Sequence, residues 1–378
     1  MKKLAIIGAS YLQAPLIQKA KDMGIETHTF AWAANDVGET LSDYFYPISI
    51  VEKEAILEKC RAIGIDGICS ISSDLAMQAV NFIADRLHLT GNTLQSTLVS
   101  TNKHCMRDRF KERGDPSPAS FMVSTAEEAL RLPLTYPVIV KPLDRSGSRG
   151  ITKVTDPKDL ESAIERARGE GFDKHALVEE FAEGDEYSVE FISWEGKHEF
   201  LAMTKKFTTG APNFIETGHI QPADVDPDTL ERVKAVISHA LDSLEIKYGA
   251  SHSEVKIDGS GRIVIIEIGG RMGGDFIGSH LVQLSTGFDF LKGVIDISLG
   301  REPDMTRGPH YAAAAVRYVI DMRDHYTLRD MEASGKLHVV ECDLRNKPDH
   351  VVKDSATRCG YLVAGFDSLN DAYAFINK

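Results

Sequence analysis

Short apolar runs alternate with amphipathic stretches through the first hundred residues. Residues 4–7 (LAII) are continuously apolar and predict a buried strand, with further strands at 25–31 and 66–71 (DGICSI). Helical periodicity predicts helices ending near residue 23, over 52–63 and over 74–87. Strands and helices alternating at this spacing predict a parallel, doubly wound sheet. The turn after the first strand, GASYLQAP, invites a dinucleotide-binding reading. It lacks the second and third glycines that let a backbone approach a pyrophosphate. The second strand ends in Thr29-Phe30-Ala31, with no acidic residue to hold a ribose hydroxyl. A structural Rossmann-like half is therefore favoured.

The pattern changes near Ser100. STNKHCMRDRFKERG reads as a helix, DPSPAS as a turn-rich connector, and residues 120–178 as a small α/β module. Strand-like LVEEFAEGDEYSVEFI follows. A long loop at 206–226, a helix at 227–244, a hairpin at 248–268 and a helix at 287–299 come next. A tail of mixed strands and helices runs to Lys378, and no internal repeat or low-complexity segment stands out.

The chain has 378 residues and is 43% hydrophobic, enough for a sizeable core and for about two to three domains. Its net charge of −13 argues against a nucleic-acid partner, whose binding depends on neutralised phosphates. A local positive patch still suffices for a small anion. The five cysteines (Cys60, Cys69, Cys105, Cys342 and Cys359) include no C-x-x-C pair, which argues against a zinc site or a disulfide framework. A reducing cytoplasm is the expected compartment. The apolar run in MKKLAIIGAS is too short for a signal peptide, and no stretch approaches the ~18 residues of a membrane span.

SHSEVKIDGSGRIVIIEIGGR, residues 251–271, places two strands around Asp258-Gly259-Ser260-Gly261, a strong hairpin signal. With Gly259-Ser260 at the turn, 256 pairs with 263, 254 with 265 and 252 with 267. One face then carries Val255, Ile257, Val264, Ile266 and Ile268 and should pack on the core. The other carries His252, Glu254, Ile265 and Glu267. Glu254 and Glu267 become diagonal neighbours, close enough to share a ligand. Two such carboxylates repel unless a cation lies between them, and Mg²⁺ uses one or two carboxylates together with substrate phosphates. The alternative is a solvated face with both glutamates in water. For His252, a hydrogen-bonded structural role is favoured over metal ligation.

Residues 138–154, VIVKPLDRSGSRGITKV, join a strand, a lysine, a Ser/Gly-rich loop and a second strand. The lysine precedes the loop, so this is not the G-x-x-x-x-G-K-[ST] phosphate loop. In chain order stand Lys103, Lys141, Glu179-Glu180-Phe181, Glu186, the carboxylate hairpin and Arg271. This ordered set resembles the ATP-grasp superfamily over nearly the whole chain.

The resemblance implies an α/β fold of α+β modules. A Rossmann-like leading domain (1–98) would precede an ATP-grasp domain (99–300, small lid subdomain about 112–178), with a C-terminal subdomain (301–378) completing the large domain. Lys103 and Lys141 would neutralise the α- and β-phosphates of ATP, and Ser146, Gly147 and Ser148 would act as lid groups. Glu179 would hold the adenine amino group, with Phe181 and Ala182 as the adjoining linker and Glu186 on the ribose. Glu254 and Glu267 would carry Mg²⁺, or Mn²⁺ in its place. Arg271 would stabilise phosphoryl and tetrahedral charge. The implied activity is ADP-forming carboxylate–amine ligation through an acyl phosphate, with small-molecule partners and a homodimer as the family's common assembly.

Many members carry E-x-N where this chain has Glu267-Ile268-Gly269, which puts one metal-side contact in question. E-I-G-x-R is instead similar to the L-amino-acid ligase branch, which makes dipeptides. Glu216-x-Gly218-His219-x-x-Pro222 resembles that branch's substrate loop. There the residue four after the arginine shapes the amine pocket. Here it is Asp275, whose carboxylate would suit a cationic amine. Arg317 could approach a substrate carboxylate, and the tail is otherwise assigned no chemistry. Two other readings stand beside this one. One is a ligase for a non-amino-acid carboxylate or amine in nucleotide or natural-product biosynthesis. The other is a decayed ATP-binding sensor, disfavoured because both lysines, both metal glutamates and Arg271 occur together.

Overall fold

A computed structural model of the chain describes residues 1–145, 149–210 and 214–377. Ser146, Gly147 and Ser148, the expected lid groups, lie outside the described residues.

The apolar runs at the start form the expected parallel sheet. Its strand order is Tyr44–Tyr46, Glu26–Phe30, Lys3–Ile7 and Gly67–Cys69. Leu4, Ile6, Ile25 and Cys69 pack with Leu16 and Ile17 of the helix Ala14–Asp22 on one side. On the other side Ala5, Ile7 and Ile68 pack with Ala76, Val80 and Ile83 of the helix Asp74–Leu87. The carboxyl ends of these strands deliver residues 8–13 and 70–74 to one edge, where open α/β sheets place ligands. The sequence reading missed the short helix Val37–Leu41, the strand Tyr44–Tyr46 and the helix Leu94–Thr101.

A second, antiparallel sheet has the order Ser120–Val123, Ala176–Glu180, Val138–Pro142, Thr152–Val154. The helix Leu160–Glu170 covers it, burying Leu160, Ala163, Ile164 and Ala167 against Val138, Val140 and Val178. The third sheet is antiparallel and eight-stranded. Its order is Ile263–Gly269, Gly249–Ile257, Asp185–Trp194, Lys197–Thr208, Glu216–Gln221, Ala313–Tyr318, Tyr361–Phe366, His338–Asp343. Its core joins Val255, Ile265 and Ile268 to Met106, Phe110, Ile237 and Leu241.

The expected long loop at 206–226 is corrected here. Residues 197–208 and 216–221 are paired strands in the middle of the large sheet, with Lys205 opposite Ile220 and Gly218 opposite Arg317. Their polar side chains reach ion pairs and hydrogen bonds inside the protein, so the polarity that suggested a loop marks a lined cavity instead. No helix among the described residues is long and apolar enough to cross a membrane.

Candidate active site

The hairpin register differs from the expectation. The side chain of Asp258 accepts the backbone N–H groups of Ser260 and Arg262 at 2.8 and 3.1 Å. This widens the turn, so that pairing begins at Ile257 with Ile263. A bulge then places Glu254 directly opposite Glu267. Ile265 therefore turns into the core, its N–H donating to the Pro116 carbonyl at 2.7 Å, while Ile266 lines a cavity. The two isoleucines exchange the faces expected of them, and the two carboxylates stand closer than a diagonal pair.

Lysines meet these carboxylates. Lys103, at the start of the helix Lys103–Arg113, reaches Glu267 at 2.6 Å. Lys206 lies 2.7 Å from Glu254, 2.8 Å from Glu186 and 3.7 Å from Glu216. Burial would lower the Lys206 ammonium's pKa. Glu186, Glu254 and Glu216 outweigh burial and raise it well above its ordinary value. Burial likewise works against the Glu254 carboxylate, but Lys206 and His252 hold its pKa well below the usual range. His252 is a buried partner of Glu190, which lifts the imidazole to about 9 against the opposing effect of burial.

Lys141 and Glu179 form a third buried pair at 2.5 Å, with Arg107 Nε 2.9 Å from the other oxygen of Glu179. Glu179 lines the cavity, but both of its oxygens are already ion-paired. Burial raises its pKa less than Arg107 and Lys141 lower it, and the result is about 2.

Lys141 and Glu179 line a cavity of about 510 Å³ between the second and third sheets, together with Lys103 and His252. Ile139, Ile151, Phe181, Ala182 and Ile266 give it apolar walls, and Lys153 sits 3.7 Å from the Phe181 ring centroid. Glu186, Lys206, Glu254, Glu267 and Arg271 line it too, as do Glu216, His219 and Asp275. His219 is fully buried, and among the described residues neither ring nitrogen has a hydrogen-bond partner. Burial lowers its pKa against the pull of Asp275, 3.7 Å from Nε2, which favours the neutral imidazole.

Asp275 is not a free carboxylate. Arg358 donates to both its oxygens at 2.9 and 2.6 Å, and the guanidinium lies 3.6 Å from the Tyr318 ring centroid. The expected welcome for a cationic amine is corrected, because the tail supplies the cation itself. Asp275→Asn should therefore destabilise the protein by about 3 kcal/mol, leaving a buried guanidinium uncompensated. Urea unfolding would read this as a lowered midpoint at unchanged slope. The assignment of no chemistry to the tail is corrected as well, since Ser355, Ala356 and Arg358 line the cavity and Ser355 donates to Glu216. Arg317 plays no part there. It donates to Phe375 O and Asp324 at 2.9 and 2.8 Å, tying the last helix to the sheet.

Arg271 forks onto Asp74 of the leading sheet's helix, Nε to Oδ1 and Nη2 to Oδ2, both at 2.9 Å. Asp74 opens onto a second cavity of about 830 Å³ at the strand ends of the leading sheet, which shares Lys103 and Glu267 with the first. The sequence reading missed Lys206, Arg107, Asp74 and Arg358. For Lys206 the signal was the alternation of Lys205 and Lys206, which carries no face once the segment is read as a loop.

The residues fit a divalent cation held jointly with a ligand. Glu254 and Glu267 offer hard oxygens side by side, neutralised here by lysine tips. Among the described residues no cluster of three or more His, Cys, Asp or Glu side chains could hold a metal alone.

Residues 134–279 match the family model of the ATP-grasp domain. Alanine–anticapsin ligase of Bacillus subtilis (strain 168) is 25% identical over 320 residues, which is 74% of this chain and 67% of the relative. Two solved structures share the fold. The L-amino acid ligase from Bacillus licheniformis has a TM-score of 0.84 at 22% identity, covering 100% of this chain and 96% of its own. N5-carboxyaminoimidazole synthetase from Staphylococcus aureus, complexed with ADP, has a TM-score of 0.79 at 16% identity, covering 100% and 97%. The matched segment spans both walls of the cavity, so the chain carries an ATP-grasp domain over residues 134–279.

Proposed function

We propose that the protein is an ATP-dependent carboxylate–amine ligase that joins L-amino acids through an acyl phosphate, releasing ADP and phosphate. The observation that carries this reading is the directly opposed pair Glu254 and Glu267, flanked by Lys103, Lys206 and Arg271 in one cavity. Ile139, Ile151, Phe181 and Ile266 would enclose the adenine ring, and Glu186 would meet the ribose. Lys103, Lys141 and Lys206 would face the phosphates. When bound by Glu254 and Glu267, Mg²⁺ or Mn²⁺ supplies charge neutralisation to the transferring phosphoryl group.

A substrate carboxylate oxygen attacks the γ-phosphorus, and the bond to the ADP oxygen breaks. The amine nitrogen then attacks the carbonyl carbon, the tetrahedral adduct expels phosphate, and the nitrogen loses its proton. The chain's part is positioning and charge neutralisation. Arg271 stabilises the negative charge of both transition states. Glu216 and the neutral His219 meet the amino-acid groups, Glu216 as an anion for an ammonium and His219 as a group able to take the amine's proton.

The relative that ligates alanine to anticapsin supports an amino acid as one partner. A second reading has one specific observation behind it. The second cavity, about 830 Å³, is larger than an amino acid needs and would suit a bulkier carboxylate or amine.

The test is ADP and phosphate release from MgATP across all pairs of the twenty L-amino acids, with D-alanine pairs as a control. Release requiring two L-amino acids, with a product mass equal to their sum less water, is the expected result. ATP binding without release from any pair would favour the bulkier partner, and absence of ATP binding would remove the reading.

A further inference from the structure

Gly269 ends the strand Ile263–Gly269, and two side chains fill the space beside it. A Cβ built on Gly269 would lie 2.6 Å from Asp74 Oδ1, 3.2 Å from Arg271 Nε and 3.3 Å from Arg271 Cζ. No backbone atom is among these contacts, and Gly269 is not in the left-handed region. The glycine is therefore required neither by backbone conformation nor by a neighbouring main chain. What excludes a side chain is the ion pair.

That pair joins two parts of the fold. Asp74 is the first residue of the helix Asp74–Leu87, capped by Ser73, whose Oγ accepts the N–H of Ala76 at 3.3 Å. An aspartate in a first helical turn is favoured by the helix dipole, so its carboxylate is held before any ligand arrives. Arg271 follows the metal-site strand Ile263–Gly269. Its guanidinium meets the carboxylate through two parallel bonds, which fix its plane as well as its place. Both side chains are largely shielded, at 12% exposure for Arg271 and 18% for Asp74. Arg271 lines the first cavity, Asp74 the second.

We propose that Asp74 is a positioning residue that holds the Arg271 guanidinium toward the reacting phosphoryl group, in the space that Gly269 leaves open. The proposal rests on the ligase reading above. The leading sheet thereby takes part in the chemistry, by aiming the arginine of another sheet. Gly269 and Asp74 thus act on one guanidinium, the first by leaving room for it and the second by holding it.

Two substitutions test it in the full chain. Gly269→Ala adds a methyl group whose three nearest neighbours are atoms of the pair. Asp74→Asn keeps the shape and removes the charge. Each is expected to lower kcat at least tenfold, with KM for ATP within about threefold of the parent and the thermal midpoint within a few degrees. The double variant should be no slower than the slower single one, because both act through one contact. A second readout does not need turnover. Inorganic phosphate binding to the MgADP complex, followed by calorimetry, should weaken at least tenfold in each variant while MgADP binding stays unchanged. Parental kcat and phosphate affinity in Gly269→Ala, or losses that multiply in the double variant, would overturn the proposal. So would a parent protein that binds no phosphate beside MgADP. A parent that binds phosphate there but turns over no pair would count against the ligase reading alone.

Discussion

Replacing both hairpin carboxylates, as Glu254→Gln with Glu267→Gln, is expected to lower kcat for ADP release by about a thousandfold or more. Removing one preorganised group that stabilises transition-state charge costs on the order of 10²–10³ in kcat, and on the proposed ligase reading this change removes two anchors of one cation. The bulge places Glu254 directly opposite Glu267, and both face the cavity that holds Lys206, Lys103 and Arg271. Glutamine keeps the shape of each side chain, so the hairpin should persist. The amide oxygen is a far poorer ligand for a hard divalent ion, so the Mg²⁺ concentration for half-maximal rate should rise in each single variant. Chelation with EDTA should silence the parent, and added Mg²⁺ should restore it. A parental rate and Mg²⁺ dependence in the double variant, with unchanged circular dichroism, would place the cation elsewhere.

Much of the fold was legible because its signals are local. The runs 4–7 and 25–31, the helical periods and the Asp258-Gly259 turn each act over a few residues, and the expected strands and helices follow them. Errors arose where a distant group decided the outcome. The hairpin register depends on Asp258 capping its own loop and on Pro116, far away in the chain, accepting the bulged N–H of Ile265. A count from the turn contains neither. The segment 206–226 looked like a loop because its polar residues have no apolar partner in sequence. Their partners are Glu186, Glu254 and Ser355, which only the folded sheet brings near. Asp275 looked available for the same reason, since nothing local reveals Arg358, 83 residues later. Lys103, Lys141, Glu254, Glu267 and Arg271 could be singled out by order and spacing. The counter-ions that set their charge could not.

The other large effect falls on stability, at Glu179. Glu179→Gln is expected to destabilise the fold by about 3–5 kcal/mol at neutral pH, because one uncharged amide would be left with two buried cations. Lys141 and Arg107 both lean on this carboxylate, and all three side chains are almost completely shielded from solvent. The pH dependence carries the same magnitude with a definite sign. The Glu179 carboxyl stands at about 2 in the folded protein, against an ordinary value of 4.5. Its folded pKa is depressed, so its stabilisation is fully present above the unfolded pKa and is lost as pH falls from about 4.5 towards 2. At 1.36 kcal/mol per pH unit this is roughly 3 kcal/mol, in line with the pair-breaking range. Denaturant midpoints for parent and variant should therefore differ most at pH 5–7 and converge as the solution approaches pH 2. A gap below about 1 kcal/mol at pH 7, or one that stays constant through the acid range, would mean that the two cations find other partners. The Lys141–Glu179–Arg107 cluster would then matter for ligand charge alone. A wide gap that closes with acid would show that the Glu179 charge beside the cavity also holds the second sheet to the third, because Arg107 donates to the Ile266 carbonyl at 2.6 Å while it pairs with Glu179.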